Sequence, residues 1–144
     1  MGPTPEEWIA EFNLRAAGTM VAAHGTRFKE ITPQRAILEL DFRPDLAQPT
    51  GLFHAGALIS LADEAATCLA VAHVMPDGGW DPAKFPLTVQ LSANLIRNTN
   101  RGTIRAEATP LHMGKTTIVI QIRVTDDADR LLALVTATLI VPGR

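Results

Sequence analysis

The run Gly51-Leu52-Phe53-His54-Ala55-Gly56-Ala57-Leu58-Ile59-Ser60-Leu61-Ala62-Asp63-Glu64-Ala65 decides the fold. A loop punctuated by Pro44, Pro49 and Gly51 feeds directly into a helix predicted from Gly56 to Val74. At about 1.5 Å per residue this helix is roughly 28 Å long. Ala57, Leu58, Ile59, Leu61, Ala62, Ala65, Ala66, Leu69 and Ala70 make it apolar around most of its circumference, which predicts burial. Its polar residues Ser60, Asp63, Glu64 and Thr67 fall at i, i+3, i+4 and i+7, so they form one stripe. Two carboxylates on such a helix are costly unless the stripe faces solvent or a site. The first N–H groups of a helix lack internal partners and carry partial positive charge, so the loop–helix junction can polarise a carbonyl or hold an oxyanion. Asp63 lies more than about 10 Å from that junction by helix rise. Two antiparallel helices across a dimer interface would bring Asp63 of one chain to the helix start of the other.

Outward from this helix the pattern changes. Thr4-Pro5-Glu6-Glu7 reads as a capping box opening a short helix, with Trp8, Ile9 and Phe12 on its apolar face. Residues 26–42 read as two short strands broken near Thr32-Pro33. After the central helix and a loop at Pro76 to Pro82 come four alternating segments. Leu87, Val89, Leu91, Ala93 and Leu95 alternate with an outward polar row, Thr88, Gln90, Ser92 and Asn94. Ile104, Ala106 and Ala108 define the second segment and Ile118, Ile120, Ile122 and Val124 the third, while Leu131 to Val141 is apolar on nearly both faces. Period-two alternation predicts strands, and hairpin-sized connectors make them a four-strand meander. The expected architecture is α+β, a curled antiparallel sheet wrapped around one long central helix. Residues 1–25 are expected to form an N-terminal helical segment and 26–144 a single domain.

Composition narrows the function classes. The 144 residues carry 13 basic and 15 acidic side chains, 19% charged, against about 25% in an average soluble chain. A net charge of −2 argues against nucleic-acid binding by bulk electrostatics. The single cysteine, Cys68, excludes an intramolecular disulfide framework and a Cys-rich zinc site, and is read as a small core residue. No secretory signal, myristoylation motif or bilayer-length apolar run is read, so a cytoplasmic protein that does not engage a membrane is expected. The uncharged row from Thr88 to Asn94, the central helix and the strand Leu131 to Val141 are the surfaces expected to be buried between subunits.

The segment Gly51 to Ala65 resembles the signature of hotdog-fold thioesterases of the PaaI type: G-x-x-H-G-G, then an apolar helix with an Asp or Glu seven residues after the second glycine. The resemblance covers roughly residues 26–141. It implies a hotdog fold, acyl-CoA thioester hydrolysis and a homodimer or homotetramer. The family's acid corresponds to Asp63, its loop histidine to His54 and its preceding polar loop residue to Gln48, with supporting hydroxyls at Thr67 and Thr88. The first glycine of the pair is Ala55 here. Its N–H, the carbonyl-polarising group, is retained, while its β-carbon bears on substrate fit. Gly56 is assigned to substrate binding. Glu64, about 100° around the helix from Asp63, is expected to face solvent.

Arg97, Arg101 and Lys115, at strand ends and turns, are candidate contacts to coenzyme A phosphates. His24, His73 and His112 are read as structural. The resulting expectation is an acyl-CoA thioesterase in which Asp63 is general base or nucleophile, the Ala55 N–H polarises the carbonyl, and His54 and Gln48 position the thioester or water. No metal or redox cofactor is required, and coenzyme A is part of the substrate. A non-catalytic module binding acyl-CoA or fatty acid is the alternative. A hotdog hydratase or dehydratase is disfavoured because its histidine–acid spacing is missing.

Overall fold

The computed structural model describes residues 1–143. Helix α1 (Pro5–Ala16) begins at the expected capping box: the Glu7 N–H donates to Thr4 Oγ1 at 3.2 Å and the Thr4 N–H to Glu7 Oε2 at 2.8 Å. A short helix α2 (Met20–His24) ends at Gly25, whose φ of 82° supplies the left-handed turn into the first strand. Strands β1 (Arg27–Ile31) and β2 (Ala36–Asp41) follow, then helix α3 (Ala55–Val74). The chain closes with β3 (Leu87–Leu95), β4 (Thr103–Met113), β5 (Thr117–Thr125) and β6 (Leu131–Ile140).

All six strands form one antiparallel sheet in the order β1-β2-β4-β5-β6-β3. This corrects the expected four-strand meander: only β4-β5-β6 is a meander, and β3 sits beyond β6 at the far edge. The sheet curls around α3, which packs chiefly against β2, β4 and β5, and Leu58, Leu61, Ala65, Leu69 and Ala72 of the helix are all buried. Four further buried α3 positions, Ala57, Ala62, Ala66 and Ala70, are also alanine, so the sheet backbone approaches the helix closely. Although α3 is long and apolar enough to cross a membrane, it is the buried core helix.

The two sheet edges are β1 and β3, and one face of α3 is roofed by the N-terminal segment. Trp8 and Phe12 of α1 join the main core, and Phe12 stacks at 5.6 Å from Phe28 of β1 and 5.7 Å from Trp80 of the α3–β3 loop. Trp80 continues the cluster to Phe85 at 5.6 Å, with the Arg15 guanidinium 5.1 Å from its ring.

Strand β3 departs from simple alternation. Its pairing with β6 shifts register between Thr88 and Gln90. Thr88 stands opposite Leu139 and Leu91 opposite Ala137, both buried inner-face residues, while Gln90, Ser92 and Asn94 point away. The bulge thus turns Thr88 from the expected outward row to the helix side, because one extra residue inverts the faces on either side of it. Leu87, Val89, Leu91 and Leu95 remain exposed along this edge.

Candidate functional site

Helix α3 starts at a junction tied down from three sides. The His54 N–H donates to Leu46 O at 2.9 Å, the Phe53 N–H to Thr99 O at 3.0 Å, and Asn98 Nδ2 to Phe53 O at 2.8 Å. Asn98 was not singled out from the sequence: its contact spans 45 positions, and no local pattern signals it. His54 is the N-cap, its Nδ1 accepting the Gly56 N–H at 2.8 Å, and its carbonyl accepts the Ala57 N–H at 2.9 Å. Among the described residues the Ala55 N–H has no hydrogen-bond partner. It is the free donor at the positive end of a 20-residue helix.

This geometry explains the alanine and the glycine. A β-carbon on Gly56 would lie 2.9 Å from His54 Nδ1, so the capping imidazole needs glycine there. Ala55 carries no such burden, and Asp129 is the one non-glycine with positive φ among the described residues. Ala55 therefore holds an ordinary backbone conformation with its N–H in place. Gly56 itself serves the cap, its N–H being spent on His54.

Two turns further, Asp63 Oδ1 accepts a hydrogen bond from Thr88 Oγ1 at 2.6 Å. The bulge in β3 delivers that hydroxyl. By helix rise Asp63 stands about 12 Å from Ala55, so one chain does not unite the free N–H with the carboxylate.

Ser60, Asp63, Glu64 and Thr67 all border one cavity of about 380 Å³ between α3 and the N-terminal helices. Its other walls are predominantly apolar, including Phe12, Phe28, Trp80 and Phe85. The stripe predicted on α3 therefore faces a cavity whose roof comes from α1 and α2. Cys68 borders it too; it is buried, and burial holds its thiol well above the usual range, consistent with a core residue.

Glu64 does not face solvent as expected. Its side chain is only 10% exposed because Thr26 and His24, at the α2–β1 junction, lie over it. Thr26 Oγ1 donates to Oε2 at 2.7 Å, and His24 Nδ1 lies 4.0 Å from Oε1, so His24 has a neighbour the sequence spacing did not reveal. Oε1 is buried without a hydrogen bond among the described residues. Burial, with a smaller contribution from the Asp63 charge, pushes the Glu64 carboxyl up to about 7 against the opposing Thr26 bond.

The remaining candidates are dispersed. Gln48 turns into its own loop, its Oε1 accepting the Thr50 N–H at 2.8 Å and its Nε2 donating to Thr50 Oγ1. Thr67 borders the cavity beside Asp63. Arg97 and Arg101 are exposed near the α3 start, adjoining Asn98 and Thr99. Lys115 is exposed in the β4–β5 hairpin, at the Leu87 end of the sheet. Strand rise puts it on the order of 30 Å from Arg97, so a single chain does not gather these cations around one phosphate group.

The profile of the Thioesterase superfamily matches residues 50–133. ComA2 of Bacillus subtilis is 32% identical over 123 residues, 85% of this chain and 94% of its own. The 1,4-dihydroxy-2-naphthoyl-CoA hydrolase of Listeria monocytogenes is 27% identical over 117 residues, 81% of this chain and 90% of its own. The PaaI protein of Escherichia coli, 17% identical, superposes with a TM-score of 0.81 over 98% of this chain and 97% of its own, a likeness of fold.

Proposed function

The chain belongs to the thioesterase superfamily, and on that premise we propose that it hydrolyses acyl-CoA thioesters at a site assembled from two copies of the chain. Thioester hydrolysis is the chemistry of the superfamily. The observation that carries the finer reading is an unpartnered N–H at the start of α3 on the same helix as a hydroxyl-anchored carboxylate. The Ala55 N–H takes the thioester carbonyl oxygen, where negative charge develops as the carbonyl is attacked. A single donor of this kind is typically worth about 10²- to 10³-fold in rate. Asp63 stands too far along its own helix to act on that carbonyl, so the acting carboxylate is the partner's Asp63. The exposed apolar edge formed by Leu87, Val89, Leu91 and Leu95 supports such pairing.

Thr88 occupies Oδ1 of Asp63 and leaves Oδ2 to receive a proton. As general base, Asp63 takes a proton from water as the water oxygen bonds to the carbonyl carbon. The carbon–sulfur bond then breaks, and the departing coenzyme A thiolate takes up a proton. As nucleophile, an Asp63 oxygen bonds to the carbonyl carbon as the carbon–sulfur bond breaks and coenzyme A leaves as thiolate, and water then opens the resulting anhydride to the free acid and the Asp63 carboxylate. His54, at the junction, positions the thioester or the water, and Gln48 joins it only on releasing Thr50, while Gly56 and Thr67 shape the contact surface and Arg97 and Lys115 face the coenzyme A phosphates from different chains. No redox cofactor enters this sequence.

Thiol release from a panel of acyl-CoAs tests the proposal. The wild type turns over, and Asp63→Ala loses about 10²- to 10⁴-fold. Unchanged turnover in the variant removes Asp63 from the mechanism. Saturable acyl-CoA binding without thiol release would favour a non-catalytic module, and turnover by a strict monomer would remove the shared site.

A further inference from the structure

We propose that His24 is a second catalytic residue, the group that gives the departing coenzyme A sulfur its proton, and that Glu64 is the positioning residue behind it. The inference deepens the proposed thioester hydrolysis and rests on the α3 start as the place where the carbonyl binds.

Three observations carry it. A second cavity, of about 300 Å³, lies beside the α3 start, and His24, Asp45, His54 and Ser60 are its polar walls. The backbone of His24 is pinned at this place: the Arg43 guanidinium donates to His24 O at 2.6 Å and to Ala23 O at 2.9 Å. Glu64 lies behind the ring. Its Oε2 is held by Thr26 at 2.7 Å, while Oε1, sealed from solvent and without a hydrogen bond, stands 4.0 Å from His24 Nδ1. That separation is in ion-pair range, and catalytic hydrogen bonds are often long without substrate and tighten in its complex. A carboxyl set on Nδ1 fixes the ring and leaves Nε2, on the opposite edge, as the outward nitrogen. The other polar walls are committed or unsuited. Asp45 is paired with Arg43 at 2.9 Å, His54 spends Nδ1 on the helix cap, and a serine hydroxyl is a poor acid near neutrality. The charged and titratable groups around the His24 ring are thus Glu64 from α3, with Asp63 beside it, Asp45 and Arg43 from the segment after β2, and His54 across the cavity.

The chemistry needs such a donor. Coenzyme A carries an alkyl thiol, a class that ionises near 8.5 and so ends protonated near neutrality. As the carbon–sulfur bond breaks, its electron pair goes to sulfur and the Nε2 proton of His24 follows. Where Glu64 is ionised, it accepts from Nδ1–H of a charged ring, which ends neutral. Where Glu64 is protonated, its proton passes to Nδ1 as Nε2 releases its own. Both routes end with a neutral ring protonated at Nδ1 and a Glu64 carboxylate. Solvent returns the proton spent, and Asp63 sheds to solvent the one it took from water. Base and acid therefore reach the thioester from two chains, Asp63 from the partner and His24 from the chain whose Ala55 N–H holds the carbonyl.

The test carries benzoyl and straight-chain acyl groups from butanoyl to decanoyl on two thiols, coenzyme A and 5-thio-2-nitrobenzoate, whose aromatic thiolate departs without a proton. His24→Gln keeps a polar side chain beside Glu64 but holds no transferable proton. Its kcat/KM should fall about 10²-fold more on the coenzyme A thioester than on the aromatic one, the range for general acid catalysis. Glu64→Met, which frees the ring, should show the same selectivity. Weak recognition of the aromatic thiol lowers wild type and variant alike and drops out of the ratio. The wild type alone gives a second reading: kcat/KM for the coenzyme A thioester falls at high pH, as the donor loses its proton, where that for the aromatic thioester does not. Equal losses on both thiols in folded variants overturn the role of His24 while hydrolysis stands, as do parallel pH profiles in the wild type. A wild type that cleaves no thioester overturns this role and the hydrolysis reading together.

Discussion

Replacing Glu64 by glutamine removes an ionisable group while keeping its shape and its capacity to accept from Thr26. The folded protein holds this carboxyl near 7, against about 4.5 for an ordinary glutamate, with burial the main cause. A group whose folded value is raised prefers its neutral form in the fold. It imposes no penalty well below 4.5, an increasing one as pH rises between 4.5 and 7, and a constant one above. At 1.36 kcal/mol per pK unit the full penalty is about 3 kcal/mol. Linkage between the two values gives about 1 kcal/mol at pH 5 and about 3 kcal/mol at pH 8. The side chain is 10% exposed, so solvent screening takes little from this figure. Glutamine carries no such penalty. Urea unfolding of wild type and Glu64→Gln at both pH values should therefore show the variant gaining about 2 kcal/mol more at pH 8 than at pH 5. All other ionisable groups are common to both proteins and largely cancel. A stability difference independent of pH would refute the argument that Glu64 is buried and nearly half-neutral at pH 7.

Three further outcomes follow from named contacts. Gly56→Ala should destabilise by about 1 kcal/mol in thermal unfolding, the value of a lost N-cap, because the new β-carbon would lie 2.9 Å from His54 Nδ1; helix propensity alone favours alanine, so a gain in stability would contradict the cap. Thr88→Val should lower kcat/KM about tenfold with the circular dichroism spectrum unchanged, since it removes the 2.6 Å bond to Asp63; wild-type kinetics would take Thr88 out of the site. Phe12→Ala should cost about 3–5 kcal/mol in denaturant unfolding, because Phe12 links α1 to both Phe28 and Trp80; a loss under 1 kcal/mol would mean that the N-terminal segment is not part of the core.

Local patterns carried much of this fold into view. The Thr4–Glu7 capping box, the apolar run of α3 and the stripe from Ser60 to Thr67 depend on spacing within a few residues, and each stands where its spacing put it. What escaped depends on distant partners. The place of β3 at the sheet edge is decided by its pairing with β6, some forty residues later, and the bulge that turns Thr88 inward exists only within that pairing. A helical wheel gave the angle of Glu64 but not the Thr26 and His24 that cover it. The apolar face of α1 was visible in Trp8 and Phe12, whereas its docking over the α3 stripe depends on Phe28 and Trp80, far along the chain. The separation of Arg97 from Lys115 follows likewise from sheet order.

The capping bond at His54 also settles where its proton sits. Nδ1 accepts the Gly56 N–H at 2.8 Å, so the neutral imidazole carries its hydrogen on Nε2. The ring consequently turns a donor, not a lone pair, outward beside the helix start. While the cap is intact, His54 is a group that offers a hydrogen bond to an oxygen or sulfur. Cap and outward donor thus belong to one ring, so a substitution at His54 removes both from the start of α3 together.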